Sequence, residues 1–165
     1  MEKKMERIEY RGVVNKSEWR RGPWNDEPDK IQWQDKKTGL PCLIVRGPAG
    51  ALCGYVGISE CHPLYGKDYD SADVDVHGGL TYADACQATP ENRGICHKPA
   101  GGEPDHVWWF GFDCAHAGDY TPSYGRDLGM PTGWGGVVEY RDIAYVEDQC
   151  RSLAKQLKAA ATLLA

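Results

Sequence analysis

Short runs of hydrophobic residues, some of them alternating with polar residues at a period of two, recur along this chain, and this pattern predicts β-strands. The alternation is clear where Ile31 and Trp33 stand between polar neighbours, and again over 73–77. Turn signals such as Lys37-Thr38-Gly39 separate successive runs, which favours antiparallel pairing of neighbouring strands. Further strand-like runs are predicted over 9–14, 42–45, 51–56, 80–82 and 107–112.

A helical period appears towards the C-terminus. The spacing predicts one long helix over 141–164, with acidic residues early and Lys155 and Lys158 late, as the helix dipole favours. We expect this helix to cover one face of the sheet; a dimer seam is the alternative. Its apolar stripe, at spacings of four and three, consists of Val146, Cys150, Leu153, Leu157 and Ala160.

These elements predict a single α+β domain over 1–165: a mainly antiparallel, twisted sheet with long glycine-rich loops and a C-terminal helix packed on it. Residues 1–30 are polar and broken by glycine and proline, so this N-terminal segment is expected to pack most loosely. Residues 85–105 and 117–136 lack periodicity, and loops of that length are commonly lids or binding loops. A tolerated surface insertion is the alternative for 85–105.

The amino-acid composition and the charge argue against several classes of function. The net charge of −5 and the pI near 5.5 argue against a nucleic-acid polymer as partner. No apolar stretch approaches the length of a membrane span, and the charged N-terminus lacks a signal-peptide core. An odd count of seven cysteines then favours free thiols in a reducing cytoplasm.

The candidate functional site follows the aromatic run Val107–Phe112. Alternation places Val107, Trp109, Gly111 and Asp113 on one face of this strand and Trp108, Phe110 and Phe112 on the other. Asp113, Cys114, His116 and Asp119 come directly afterwards, and such clusters at strand ends commonly bind or react. His77 with Gly78-Gly79, at the end of another predicted strand, is the expected partner.

Two kinds of chemistry fit these residues. In a hydrolase, His77, Asp113 and His116 would activate water, with or without a divalent metal, although no metal-binding spacing is present. Cys114 is a weaker candidate nucleophile, because most cysteines in reduced proteins are core residues. In a binding site without chemistry, aromatic rings would stack a ligand while polar groups and glycine backbone hold it. The residues expected to bind are His62, Tyr69, His77, Gly78, Gly79, Trp109, Asp113, His116 and Asp119.

Several segments together resemble small, uncharacterised proteins encoded by tailed bacteriophages and prophages. The resemblance covers roughly residues 47–157, and its most specific part is Trp108–Asp119. It implies the cytoplasm of an infected bacterium as the setting, and a counter-defence role by analogy. The segments are Leu52–Gly57, His62–Tyr69, Val76–Tyr82, Trp108–Asp119 and Tyr140-Arg141-Asp142.

The sequence therefore predicts a phage accessory protein that binds a small, anionic, nucleotide-like ligand and sequesters a host immune signal, as an oligomer. No resident cofactor is expected. The hydrolase described above is one alternative. A protein-binding inhibitor that uses its exposed aromatic residues against a host protein is the other.

Overall fold

A six-stranded antiparallel sheet and one long helix form the architecture in the computed structural model, which describes residues 5–102, 106–124 and 138–164. The spatial order of the strands is β1-β2-β3-β4-β6-β5, so only the last two depart from chain order. The predicted α+β fold with a mainly antiparallel sheet is confirmed. The elements are β1 (Ile8–Tyr10), β2 (Lys30–Gln34), β3 (Pro41–Arg46), β4 (Leu52–Ile58), β5 (Tyr82–Ala85), β6 (Trp108–Asp113) and α1 (Ile143–Leu163).

Helix α1 covers one face of the sheet, as its apolar stripe predicts. Asp142 caps its start by accepting a hydrogen bond of 2.9 Å from the Tyr145 amide. Phe110 and Phe112 project from β6 into this core, which confirms the predicted alternation. At Gly54 a side chain would collide with Phe112 and Cys150, so glycine lets the helix lie close to the sheet. The stripe residues Val146, Cys150, Leu153 and Leu157 are buried.

Loop 86–102 covers the opposite face of the sheet. The loop is partly buried, so it is not a simple surface insertion. Its Ile95 packs against a second apolar cluster that contains Tyr55 and Trp109. Lys30 and Gln32 point from β2 into the same layer and are almost fully buried. Burial lowers the pKa of Lys30 to about 8. The protein is thus three layers thick, with helix, sheet and loop.

Residues 73–77 do not form the strand that their alternation predicts. They run extended beside α1, whose glutamine side chains satisfy the backbone instead of a neighbouring strand. The Asp75 amide donates to Gln156 Oε1 at 2.7 Å, and the His77 amide donates to Gln149 Oε1 at 2.8 Å. The alternation correctly predicted that one side of this segment is buried and the other is exposed. The partners of its backbone hydrogen bonds, however, come from a helix and not from a neighbouring strand.

The cysteines also differ from expectation. Cys86 and Cys96 form a disulfide, so the prediction of free thiols throughout is wrong for this pair. They are ten positions apart in the sequence, and the loop that contains them folds back on itself through a hydrogen bond from the Gln87 amide to the Ile95 carbonyl. The remaining five cysteines are free: Cys42, Cys53, Cys61, Cys114 and Cys150.

The N-terminal segment is anchored to the fold in its second half, where Trp24 and residues 28–30 are buried. Trp24 is 1% exposed and stacks on Tyr120 at a ring-centroid distance of 5.4 Å. Asp29 is also buried and accepts hydrogen bonds from the Val13 and Val14 amides. The second glycine-rich loop, predicted over 117–136, is described only to residue 124; residues 125–137 lie outside the described part of the chain.

Candidate functional site

The site is centred on Asp119, in the chain that leaves β6. Its carboxylate is almost completely buried, with 2% of the side chain exposed. Oδ2 accepts from His77 Nε2 at 2.8 Å and from the His116 amide at 3.0 Å. Oδ1 accepts from Arg141 Nε at 3.0 Å. Asp119 therefore joins 73–77, the turn after β6 and the start of α1.

His77 is hydrogen-bonded through both ring nitrogens. Nε2 faces Asp119, and Nδ1 lies 2.7 Å from the Tyr145 hydroxyl of α1. A carboxylate can only accept, so in the neutral ring Nε2 carries the proton and Nδ1 is left to accept from the tyrosine. The result is an ordered chain of hydrogen bonds in which a carboxylate orients an imidazole and the imidazole contacts a hydroxyl.

Arg141 and burial have opposite effects on the pKa of Tyr145. Burial raises the pKa of the Tyr145 phenol, and the positive charge of Arg141 acts to lower it. The guanidinium lies over the phenol ring, 5.0 Å from its centroid. Arg141 also contacts Glu139 at 2.9 Å. The phenol is partly exposed, so its oxygen lies at the edge of the interior.

A second histidine–carboxylate pair lies beside the first. His116 Nε2 is 3.3 Å from Asp113 Oδ1, but the described residues offer this buried nitrogen no hydrogen bond of good geometry. Asp113 in turn accepts from the Thr81 hydroxyl at 2.9 Å. The His77 and His116 rings are 6.0 Å apart between centroids. The two imidazoles thus border the same small region of surface.

Gly78 fixes the distance between the two histidine-bearing segments. Its φ of +67° favours glycine, and a side chain there would collide with the His116 ring. Gly79 has a similar φ of +79° but open space around it.

Replacing Gly78 by alanine should therefore cost more stability than the same change at Gly79. Both variants incur left-handed strain of about 1–2 kcal/mol, and only Gly78→Ala adds a steric collision, for a total of about 2–4 kcal/mol. Urea unfolding of the two variants measures the difference. Equal destabilisation would show that His116 is not held against Gly78.

The structure brings together five of the residues expected to bind ligand, with Gly79 beside them. Three others lie elsewhere. His62 contacts the Leu157 carbonyl near the far end of α1, at 2.7 Å. Tyr69 is exposed in a short 3-10 helix. Trp109 is fully buried on the opposite face of the sheet, so it is not available to stack a ligand here. The five assembled residues are His77, Gly78, Asp113, His116 and Asp119.

Tyr145 is the functional candidate that the sequence pattern missed. It lies off the apolar stripe, one turn into α1, and only the capping residue Asp142 marks that position as the helix start. Cys114 is buried, and burial raises the pKa of its thiol, which opposes thiolate formation. This burial argues against Cys114 as the nucleophile, which the sequence had already made the weaker candidate.

In the described ranges, no group of three or more His, Cys, Asp or Glu side chains is placed to hold a metal ion. No helix there is both long and apolar enough to cross a membrane. No protein-family model matches the chain, and neither curated proteins nor solved structures provide a match.

Proposed function

We propose that this protein is a hydrolytic enzyme in which Tyr145 and His77 transfer the proton. The observation that supports this proposal is the hydrogen-bond chain from Asp119 through His77 to the Tyr145 hydroxyl, with distances of 2.8 and 2.7 Å. A hydroxyl bonded to an imidazole that a buried carboxylate orients is the general arrangement for activating a weak acid.

The step follows from the proton positions. As the Tyr145 oxygen takes a proton from an attacking water, its own proton passes to His77 Nδ1. The imidazolium formed in this way is stabilised by Asp119, which keeps its negative charge. Arg141, over the phenol ring, stabilises negative charge that develops on the tyrosine oxygen. Return of the proton to the leaving group regenerates the starting state.

The charge around the site favours a substrate that carries little negative charge at the reacting bond. Among the described residues at the site, the carboxylates of Asp113, Asp119 and Glu139 accompany one guanidinium, that of Arg141. This excess of carboxylates disfavours binding of a polyanion. Carboxylic esters and amides are therefore better candidates than phosphate-rich nucleotides.

A second candidate is binding without chemistry, in which a nucleotide-like immune signal is sequestered in a phage-infected cell. The open space at Gly79 supports it, because backbone there is accessible next to His77 and a ligand can approach closely. The His116 side chain, 35% exposed, offers a further contact.

The test is turnover of chromogenic carboxylic esters and phosphodiesters by wild type and Tyr145→Phe. We expect ester cleavage by wild type and a loss of about 100- to 10,000-fold in the variant, which lacks only the hydroxyl. Tyr69→Phe, which changes an exposed tyrosine away from the site, should keep full activity. Undiminished cleavage by Tyr145→Phe would exclude the proposed proton transfer. Recovery of an intact nucleotide from heat-denatured wild-type protein would favour sequestration.

A further inference from the structure

Residues 86–98, termed here the cover segment, extend across the sheet face opposite α1. They start at the end of edge strand β5 and reach β2, four positions away in the strand order. Two side chains of β2 hold the far end. Lys30 Nζ donates to the Glu91 and Gly94 carbonyls at 2.5 and 2.7 Å. Gln32 Oε1 accepts from the Lys98 amide at 2.8 Å.

The near end of the cover segment is closed by the Cys86–Cys96 disulfide. Inside this closed loop, the Gln87 amide donates to the Ile95 carbonyl at 3.1 Å. Cys96 is buried, whereas Cys86 is partly exposed. A thiolate in solution can therefore approach the sulfur of Cys86, and Cys96 is the thiol that leaves.

Beneath the cover segment, two hydrogen-bond donors have no acceptor among the described residues. They are the Tyr82 hydroxyl and Trp109 Nε1, and both atoms are buried. In the register of β5 and β6, Tyr82 pairs with Gly111 and Asp84 with Trp109, so the two rings are diagonal neighbours on one face. Buried donors without partners are uncommon because they lose their bonds to water. The closed state therefore leaves unsatisfied groups that an open state would satisfy.

We propose that the cover segment is a lid released by reduction, which uncovers Tyr82 and Trp109 as a binding surface for an uncharged aromatic ligand with hydrogen-bond acceptors. The reductant is a dithiol. One of its thiolates attacks Cys86, the S–S bond breaks, and Cys96 leaves as thiolate and takes up a proton. The second reductant thiol then displaces Cys86, so the reductant becomes a disulfide and the protein gains two thiols.

The class of ligand follows from the groups uncovered. Tyr55 and Tyr82 meet edge to face at 5.3 Å, so the surface is largely aromatic. The two free donors require acceptors on the ligand. Release of the cover segment also frees Lys30 from its carbonyl partners. The Asp84 carboxylate lies on the same face of the sheet in the strand register, so positive charge does not predominate on the uncovered surface.

Hydrogen exchange with and without dithiothreitol tests the lid. In wild type, reduction should accelerate exchange of the Gln87 and Lys98 amides by about tenfold to a hundredfold, because closing the short loop restricts its open states. Amides of β3 and β4 should exchange at unchanged rates, which shows that the fold persists. The double variant Cys86→Ser, Cys96→Ser should exchange rapidly from the start and should not respond to dithiothreitol.

Three results would overturn the proposal. Unchanged protection of the cover segment after reduction would show that Lys30 and Gln32 hold it without the disulfide. Faster exchange in β3 and β4 as well would make the disulfide a requirement for folding rather than a latch. Alkylation of both Cys86 and Cys96 in unreduced protein, seen by mass spectrometry, would show that no latch forms.

Discussion

Replacing Arg46 by alanine is expected to lower the free energy of unfolding by about 3–5 kcal/mol, since its buried partners lose a charged donor and, among the described residues, only Asp29 keeps another cationic partner, Lys16. The Arg46 side chain is 0% exposed. Its Nε donates to Asp29 Oδ1 at 2.8 Å. One terminal nitrogen donates to Gly50 O and to the Tyr140 hydroxyl, at 2.9 and 2.7 Å.

The loss would extend beyond the arginine itself because its partners hold other segments. Burial alone would raise the pKa of Asp29, but hydrogen bonds from Lys16, Val14 and Arg46 outweigh burial and lower it. Glu27, 3.2 Å from Arg46, also accepts from the Ile143 amide at the first residue of α1. Arg46 therefore links the N-terminal segment, β3 and the helix that carries Tyr145.

Arg151→Ala is the matched control. Arg151 is an exposed arginine that pairs with Asp148 and Glu147 on the surface of α1. Surface pairs contribute little, so its loss should cost no more than about 1 kcal/mol. Urea denaturation of both variants gives the comparison. A similar, small cost for both would mean that the Arg46 network is not a buried connection.

Replacing Asp119 by asparagine should reduce ester turnover by about 10,000-fold and stability by roughly 2–4 kcal/mol. Asparagine has one acceptor oxygen where aspartate has two. If the NH₂ group of the asparagine faces Arg141, it and the guanidinium are both hydrogen-bond donors, and the hydrogen bond from Arg141 is lost. If the NH₂ group faces His77, Nε2 must become an acceptor and the ring proton moves to Nδ1. His77 can then no longer take the proton of Tyr145.

Glu139→Gln provides the control for charge. Glu139 pairs with the same Arg141, but its side chain is 55% exposed. Turnover should change less than about tenfold, because an exposed carboxylate is screened by water. If the two variants lost activity equally, net charge at Arg141, and not the tautomer of His77, would explain the effect.

The architecture was largely predictable because it depends on local patterns. Short apolar runs, together with alternation around Ile31 and Trp33, predicted segments that overlap all six strands, although the predicted runs 9–14 and 80–82 share only two residues with β1 and one with β5. The spacing of four and three in the apolar stripe located α1 within about two residues at each end. The sequence also predicted that His77, His116 and Asp119 lie close together, because glycines and ionisable residues follow two predicted extended segments. Each of these signals lies within a few residues of the element that it predicts.

Long-range contacts account for the errors. Alternation over 73–77 could not distinguish a strand from an extended segment bound by Gln149 and Gln156 on a helix more than seventy residues later. Trp109 belongs to the same strand as Asp113, but loop 86–102 buries it. The wholly apolar run Val107–Phe112 is typical of a strand buried on both faces, but it does not indicate which segment covers Trp109. Tyr145 enters the site only because α1 crosses the sheet beside His77.

The tautomer of His77 tests the proposed proton transfer most directly, and it requires no substrate. Nitrogen-15 NMR of the imidazole, assigned by the signal lost in His77→Gln, distinguishes the two ring nitrogens at a pH where the ring is neutral. The hydrogen bond of 2.8 Å to Asp119 predicts that Nε2 carries the proton and that Nδ1 accepts from Tyr145. A proton on Nδ1 would contradict the account, because His77 would then donate to the Tyr145 oxygen and could not accept its proton.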